Sequence, residues 1–431
     1  MERPYRRARV WKIVVALAAG LSMAIGGLAL WFHFKITLNW AAMEARTAEL
    51  LSEALNRKPR RPPPKKEALP GNAWDEYELA LAEVIRMGKD KEAFAAFNNS
   101  ADRIDRHTVV WLLSGSCPAL EHLKCGVRRR DLRNPRLNAW LTLWDTSLPL
   151  EVFSLAELAV SKALLLAESK KTEEAAELLL DVCRFGCDLG QSGPFRFQFV
   201  ALGVYSTALK RMVEVLKSGP VSAEESIELE RDLEDLERSL PRHSTALRDD
   251  LVLLGSQLMR DGPRVMDEWF RPRPLLRRDC WRYLFSPRLV GVNLFNHFAR
   301  DMEIAARWDC LPWAQSALES KPLEAAVEAS RNPIILSTVA LQKKLGGTAA
   351  LVYRDERHRE IVARLRLLRI MIHHRATGQL IELEDPFGEK IHHACVNGRL
   401  KLWSVGADGV DDGGSGEWIE RGKDIVLEIN P

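Results

Sequence analysis

Hydrophobic residues recur at steps of three and four along most of this chain, a spacing that predicts amphipathic α-helices. The clearest stretch runs from Leu150 to Asp261, where short breakers such as GQSGP and PRH separate the apolar stripes. Because these connections are short, neighbouring helices should run antiparallel in a bundle or a short solenoid. The helices predicted in this stretch are Glu151–Ser169, Thr172–Leu189, Phe195–Lys217, Ser222–Leu240 and Ser244–Arg260.

The period of the pattern changes near the C-terminal end of the chain. Further helices are predicted at Leu323–Ala329 and Pro333–Leu345, followed by a long one from Ala349 to about Arg375. Alternating runs then flank an Asn-Gly pair, a strong hairpin signal, so Ile391–Val396 and Leu400–Val405 should pair antiparallel. The run DIVLEI supplies a third strand. The predicted fold is therefore mainly α, with a long helix before a small C-terminal antiparallel β-sheet.

A charge-free apolar run covers residues 13–34. As a helix it would be about 33 Å long, enough to cross a hydrocarbon core of about 30 Å. The basic residues before it are Arg3, Arg6, Arg7, Arg9 and Lys12. This charge bias predicts a single-pass transmembrane helix in the bacterial inner (cytoplasmic) membrane, with a cytoplasmic N-terminus and a periplasmic bulk. A cleaved signal peptide is the alternative, but the run is long and ends in bulky residues.

Composition shifts divide the rest of the chain into segments. Six Lys or Arg and no acid lie between Asn56 and Lys66, around three consecutive prolines. Such a segment should be an extended, solvated spacer, with contact to anionic lipid head groups as the alternative. The predicted segments are 1–12 (basic, cytoplasmic), 13–34 (transmembrane), 35–58 (stalk helix), 59–71 (Pro-rich linker), 72–348 (helical domain) and 349–431 (helix plus sheet).

Charge and cysteine content narrow the classes of function. The net charge of +3 on 431 residues gives no indication of a nucleic-acid partner. Seven cysteines fit an oxidising compartment, and Cys183 and Cys187 lie one helical turn apart. Both also share a helical face with leucines, where cysteine is typically a small buried residue. The pattern therefore leaves open whether any disulfide forms.

An acidic, glycine-rich loop follows the predicted hairpin. It reads SVGADGVDDGG, and its carboxylates are Asp408, Asp411 and Asp412, with Asp424 opening the third strand. Calcium takes six to eight oxygens from carboxylates, carbonyls and water, and glycines allow the turns that aim carbonyls inward. The loop is no EF-hand, because Val410 occupies a ligand position of that motif. An acidic turn without metal is the alternative, since Asp and Gly are good turn formers.

Two resemblances bear on this tail and on the helical part. The segments DPFGEKIHH, LWSVGADGVDDGG and DIVLEI resemble the calcium-binding end of the type II secretion major pseudopilin. This resemblance covers about the last 70 residues and implies calcium ligands at Asp408 and Asp424 first, then Asp411 or Asp412. The apolar run follows Trp11 and Lys12 and holds no glutamate, unlike a pseudopilin, so only the tail's fold and loop carry over.

The second resemblance covers more of the chain. The stretch AELLLDVCRFGCDLGQSGPFRFQF is similar to a helical region of uncharacterised single-pass membrane-anchored proteins of planctomycetes, myxobacteria and their relatives. Those proteins also begin with a membrane span and commonly close with a similar acidic tail. The resemblance implies a location and an architecture, and no activity comes with it.

Signatures of catalysis are missing from the sequence. No H-E-x-x-H, G-x-S-x-G or phosphate-binding loop motif occurs, and the pairs His373-His374 and His392-His393 lack a spacing that completes a zinc site. We therefore expect no enzyme, but a membrane-anchored envelope protein whose helical domain is an interaction scaffold for a protein partner. The alternative is a component of a type II secretion or type IV pilus-like machinery, which co-purification with such subunits would reveal.

Overall fold

The computed structural model describes residues 3–64, 67–87, 117–135, 137, 149–193, 195–261, 287–318, 347–416, 418 and 423–429. Within these ranges the protein is mainly helical. The helices are α1 (Arg3–Asn56), α2 (Ala73–Met87), α3 (Cys117–Arg128), α4 (Pro149–Glu168), α5 (Thr172–Gly190), α6 (Phe195–Ser218), α7 (Ala223–Ser239), α8 (His243–Asp261), α9 (Pro287–Arg307) and α10 (Gly347–Thr377). The strands are β1 (Leu69–Asn72), β2 (Arg129–Asp131), β3 (His392–Val396), β4 (Arg399–Ser404) and β5 (Ile425–Ile429).

The helices predicted between residues 150 and 261 are confirmed as α4 to α8, with ends within two residues of the predicted ones. The start of α7 shows the kind of local signal on which these predictions depend. Ser222 caps this helix, because its hydroxyl accepts a hydrogen bond of 3.2 Å from the backbone N–H of Glu225. The helices predicted at Leu323–Ala329 and Pro333–Leu345 lie outside the described residues.

One large core joins α2 to α7, α10 and the C-terminal sheet. Helix α5 lies at its centre and packs against α4 and α6, with almost every residue buried. Tyr77 of α2 and Phe185 of α5 make an edge contact there, with ring centroids 4.8 Å apart. Continuous burial of α5 means that its polar residues must find partners inside the protein.

A smaller core joins the end of α1 to α8 and α9. Met43 and Leu50 of α1 are buried in it. Helices α1 and α8 approach closely at Gly255, where a Cβ would lie 2.2 Å from the hydroxyl oxygen of Thr47. The stalk was predicted at residues 35–58, and its second half therefore packs on α8 and α9, which belong with the other helices to the helical body of the protein.

The Pro-rich segment that follows α1 also lies against this body, contrary to the predicted solvated spacer. Arg61 is only 11% exposed and reaches the carboxylate of Asp188 in α5. The side-chain amide of Gln191 accepts a hydrogen bond from the N–H of Arg60 and donates one to its carbonyl. Arg60 and Pro63 are exposed as predicted, but Arg61 and Pro62 are not solvated, because composition does not reveal the buried partners of a segment.

The small C-terminal sheet has the order β3–β4–β5, and both pairs are antiparallel, as predicted. Asn397 and Gly398 connect β3 to β4, and both have positive φ, which the tight hairpin turn requires. The parallel pair of β1 and β2 was not predicted. Each of these strands has three or four residues, too few for a periodic signal.

Helix α10 belongs to the large core and is not confined to the tail. It packs along α7 and also contacts α6, β4 and β5. Arg366 and Arg369 both donate to the carboxylate of Glu237 in α7, at 2.8 and 3.0 Å. Helix α10 thus connects the C-terminal sheet to the helices of the large core, and α10 is itself part of that core.

Among the residues that the structure describes, no helix is long and apolar enough to cross a membrane. Most side chains of residues 13–34 lie outside the described part of the chain. The transmembrane segment stays a prediction.

Candidate functional site

The acidic loop connects β4 to β5, and its glycines set its shape. Gly406 has a φ of +67°, and a Cβ there would lie 2.1 Å from the carbonyl oxygen of Lys423. Only glycine allows the two ends of the loop to approach in this way. The start of the loop is also tied to the helical body, because the indole N–H of Trp313 donates to the carbonyl of Ala407 over 2.9 Å.

Asp424 is the one predicted ligand in the described part of the loop that is fully buried. Its Oδ2 accepts a hydrogen bond of 2.7 Å from the N–H of Gly414. Its Oδ1 is buried and has no donor in hydrogen-bonding geometry among the described residues. Burial raises the pKa of this carboxyl, and the charges of Asp411 and Asp412 add to the shift, while backbone N–H groups oppose it. A buried carboxylate oxygen without a partner is costly, and a cation would satisfy it.

The other three aspartates are exposed on the loop. Asp411 Oδ1 accepts hydrogen bonds of 2.9 Å from the indole of Trp403 and from the N–H of Gly413. The bond from Trp403 is the main reason why the pKa of Asp411 is lowered, so this side chain stays ionised. Asp408 Oδ1 accepts a hydrogen bond of 3.0 Å from the N–H of Val410, closing a local turn.

The geometry therefore brings only part of the predicted ligand set together. Asp411 and Asp412 lie close enough to Asp424 for their charges to raise its pKa. No group of three or more His, Cys, Asp or Glu side chains in the described residues is arranged to hold a metal ion. A cation here would need backbone carbonyls or water for its remaining ligands, which calcium accepts readily.

Asp385, in the DPFG turn before β3, was not predicted as a key residue. It is 4% exposed, and its carboxylate accepts three hydrogen bonds. The donors are the N–H of Phe387 at 3.0 Å, the hydroxyl of Ser404 at 2.7 Å and the N–H of Val405 at 2.8 Å. Asp385 therefore fastens the turn to the end of β4, where the acidic loop begins. The Asp-Pro dipeptide signals a turn, but not this long-range contact.

In each of the two histidine pairs, one imidazole makes a defined contact with another side chain. His373 lies 2.9 Å from the carboxylate of Glu230 in α7, and His374 is on the same helix. His392 stacks on Trp403, with ring centroids 5.5 Å apart, and its Nδ1 is 3.6 Å from Asp411 Oδ2. These contacts give His373 and His392 one partner or more each.

A buried polar network at the centre of the large core was also missed. Asp188 of α5 is 1% exposed, and its carboxylate accepts bonds of 2.8 and 2.5 Å from the guanidinium of Arg61. The hydroxyl of Tyr77 donates to the same carboxylate over 2.5 Å. Burial raises the pKa of Asp188, and the charge of Arg61 opposes this shift. The network joins α2, α5 and the segment after α1.

The two cysteines of α5 are buried free thiols. Cys187 donates from Sγ to the carbonyl of Ser239 over 2.9 Å. Burial raises the pKa of the Cys187 thiol to about 12, and it also raises the pKa of Cys183. A thiol that stays protonated at neutral pH is a poor nucleophile, so both residues serve packing.

Comparison with known protein families, with curated proteins and with solved structures finds no match to this chain.

Proposed function

We propose that this chain is a membrane-anchored envelope protein without catalytic activity, whose helical body is an interaction scaffold and whose C-terminal loop binds calcium. The proposal of a membrane anchor is based on the apolar run at 13–34 and on the basic residues that precede it. Because the end of α1 packs on the body from Met43 onward, the body starts near the end of this run. The scaffold would therefore lie close to the bilayer, without a spacer between them.

The observation that supports calcium most is the buried Oδ1 of Asp424, which lacks a hydrogen-bond donor among the described residues. Asp411 and Asp412 lie nearby, and Asp408 is on the same loop. Asp424 and a neighbouring aspartate of the loop would hold the ion together with backbone carbonyls and water, and the calcium would neutralise the repulsion among the carboxylates, so that its binding energy becomes folding energy. Magnesium fits less well, because it requires near-ideal octahedral geometry and keeps its waters.

The full chain should melt at a higher temperature in calcium than in chelator. At a calcium concentration about a hundredfold above Kd the gain is about 2.7 kcal/mol, which corresponds to about 3 °C for a chain of this length. Asp424→Asn should abolish the gain. In chelator this variant should melt no lower than the wild type, because a raised pKa means that ionised Asp424 costs folding energy at neutral pH.

His393→Ala is the matched control for the melting experiment. His393 is exposed on β3, in the same small sheet, so its removal should leave the calcium effect intact. An unchanged wild-type melting curve in chelator would mean that the loop is only an acidic turn.

The proposed topology predicts which part of the chain a protease can reach. Protease added to spheroplasts should remove nearly everything after α1, because the body lies on the periplasmic side. Antibodies against an N-terminal and a C-terminal tag follow the two ends. Protection of the C-terminal tag in intact spheroplasts would reverse the proposed orientation.

A further inference from the structure

A basic pocket lies between the end of α1 and the start of α8. It has a volume of about 360 Å³, and its charged lining residues are all cations: Arg57, Lys58, Arg60, Arg242 and Arg248. Leu240 and Pro241 form an apolar part of its wall. No function described above uses this pocket.

The cations of the basic pocket are only partly neutralised. Asp249 binds the guanidinium of Arg57 through two bonds, of 2.7 and 3.0 Å. Arg248 lies 3.5 Å from Glu53, and both side chains are exposed, so this pair is weak. Within the described residues, the other three cations, Lys58, Arg60 and Arg242, form no ion pair. An excess of about three positive charges therefore surrounds the cavity.

Buried groups hold the backbone and one side chain of this pocket in place. Asp249 is 1% exposed, and its ion pair with Arg57 fixes the position of the Arg57 guanidinium. The amide of Gln191 clamps both backbone groups of Arg60, and it also donates to the carbonyl of Ser239 over 3.0 Å. The next residue, Arg61, is anchored on buried Asp188. The pocket is thus formed before any ligand binds, which lowers the entropy cost of binding.

We propose that the basic pocket binds a small soluble ligand that carries a pyrophosphate or two phosphate groups. Arginine forks match the oxygens of phosphate, and three uncompensated cations match the two or three charges of such a group at neutral pH. The cavity is at the small end of the range for ligand pockets, about 300–1,000 Å³. The apolar wall formed by Leu240 and Pro241 would contact the rest of the ligand.

A lipid head group is the other source of the same chemistry. About 35 Å of continuous helix separate Phe34, at the end of the predicted span, from Arg57. This distance favours a soluble ligand. Nucleic acid would need an extended basic stripe, whereas the whole chain carries a net charge of only +3.

Calorimetric titration tests the proposal on the full chain, in nanodiscs of neutral lipid, at low ionic strength and without divalent ions. Pyrophosphate should bind at least about tenfold more tightly than inorganic phosphate, because it contacts more of the cations. Arg60→Ala with Arg242→Ala should weaken pyrophosphate binding by at least about tenfold. Both side chains are exposed, so the double variant should fold normally.

Arg238→Ala is the control, because Arg238 is an exposed arginine of α7, paired with Glu234 and outside the pocket lining. It should leave pyrophosphate affinity unchanged. Equal weakening by this control, or no pyrophosphate binding at all, would overturn the proposal. Loss of binding in nanodiscs of anionic lipid would assign the pocket to a lipid head group and would equally overturn it.

Discussion

Asp188→Asn is expected to lower the free energy of unfolding by about 3–5 kcal/mol, because it leaves a buried guanidinium without a counter-charge. Asn has the shape of Asp but cannot neutralise Arg61, which is 11% exposed and donates two bonds to the native carboxylate. Tyr77 would also lose its charged acceptor. Urea unfolding of the full chain measures the loss.

Glu174→Gln serves as the control for Asp188→Asn. Glu174 is an exposed acid at the start of the same helix and pairs with Lys171 over 2.8 Å, one turn away. Its loss should cost less than about 0.5 kcal/mol. If Asp188→Asn costs no more than this control, the buried network does not stabilise the fold.

The stability of the variant Arg61→Met should depend on pH through the carboxyl group of Asp188. Burial raises the pKa of Asp188, and removal of Arg61 takes away the charge that opposes this rise. The folded variant would then hold a proton on Asp188 more tightly than the unfolded chain does. Its stability relative to the wild type should therefore be highest at low pH and fall as pH rises through the folded pKa.

Asp385→Ala is expected to cost about 3 kcal/mol, since it leaves three buried donors without their acceptor. These donors are the N–H groups of Phe387 and Val405 and the hydroxyl of Ser404. The turn should detach from β4, and the amide of Val405 should exchange faster with deuterium. Hydrogen exchange and thermal melting of the full chain measure both effects.

Glu389→Ala is the matched control in the same turn, because its side chain is exposed. It should change the melting temperature little. If Asp385→Ala leaves exchange at Val405 as slow as in this control, the three bonds do not hold the turn.

The regular parts of the fold were predictable because each has a local signal. Short breakers mark the ends of α4 to α8, and the Asn397-Gly398 pair marks the hairpin. Strand β5 followed from the alternation of DIVLEI. In each case the residues that determine the element are its own or its immediate neighbours.

The parts that were missed depend on partners far away in the chain. Three prolines and six cations indicated a solvated spacer, but Arg61 finds a buried carboxylate 127 residues later. The end of α1 likewise packs on α8 and α9. Sequence patterns give the conformation of a segment, but not the surface it lies against.

The candidate site was predictable only as a loop. Crowded aspartates and glycines pointed to residues 406–424, yet nothing in that pattern distinguishes buried Asp424 from exposed Asp408. The role of Asp385 could not be predicted from its turn motif, because its hydrogen bonds reach Ser404 and Val405, which lie 19 and 20 residues later in the chain.

Equilibrium dialysis with radioactive calcium tests the central claim most directly, because it counts the ions bound to each full-length chain. We expect about one ion per chain for the wild type and for His393→Ala. Asp424→Asn should bind none at this loop, since the buried carboxylate supplies both charge and an unpartnered oxygen. Equal calcium binding by the wild type and Asp424→Asn, or no binding by either, would contradict the proposal that this loop is a calcium site.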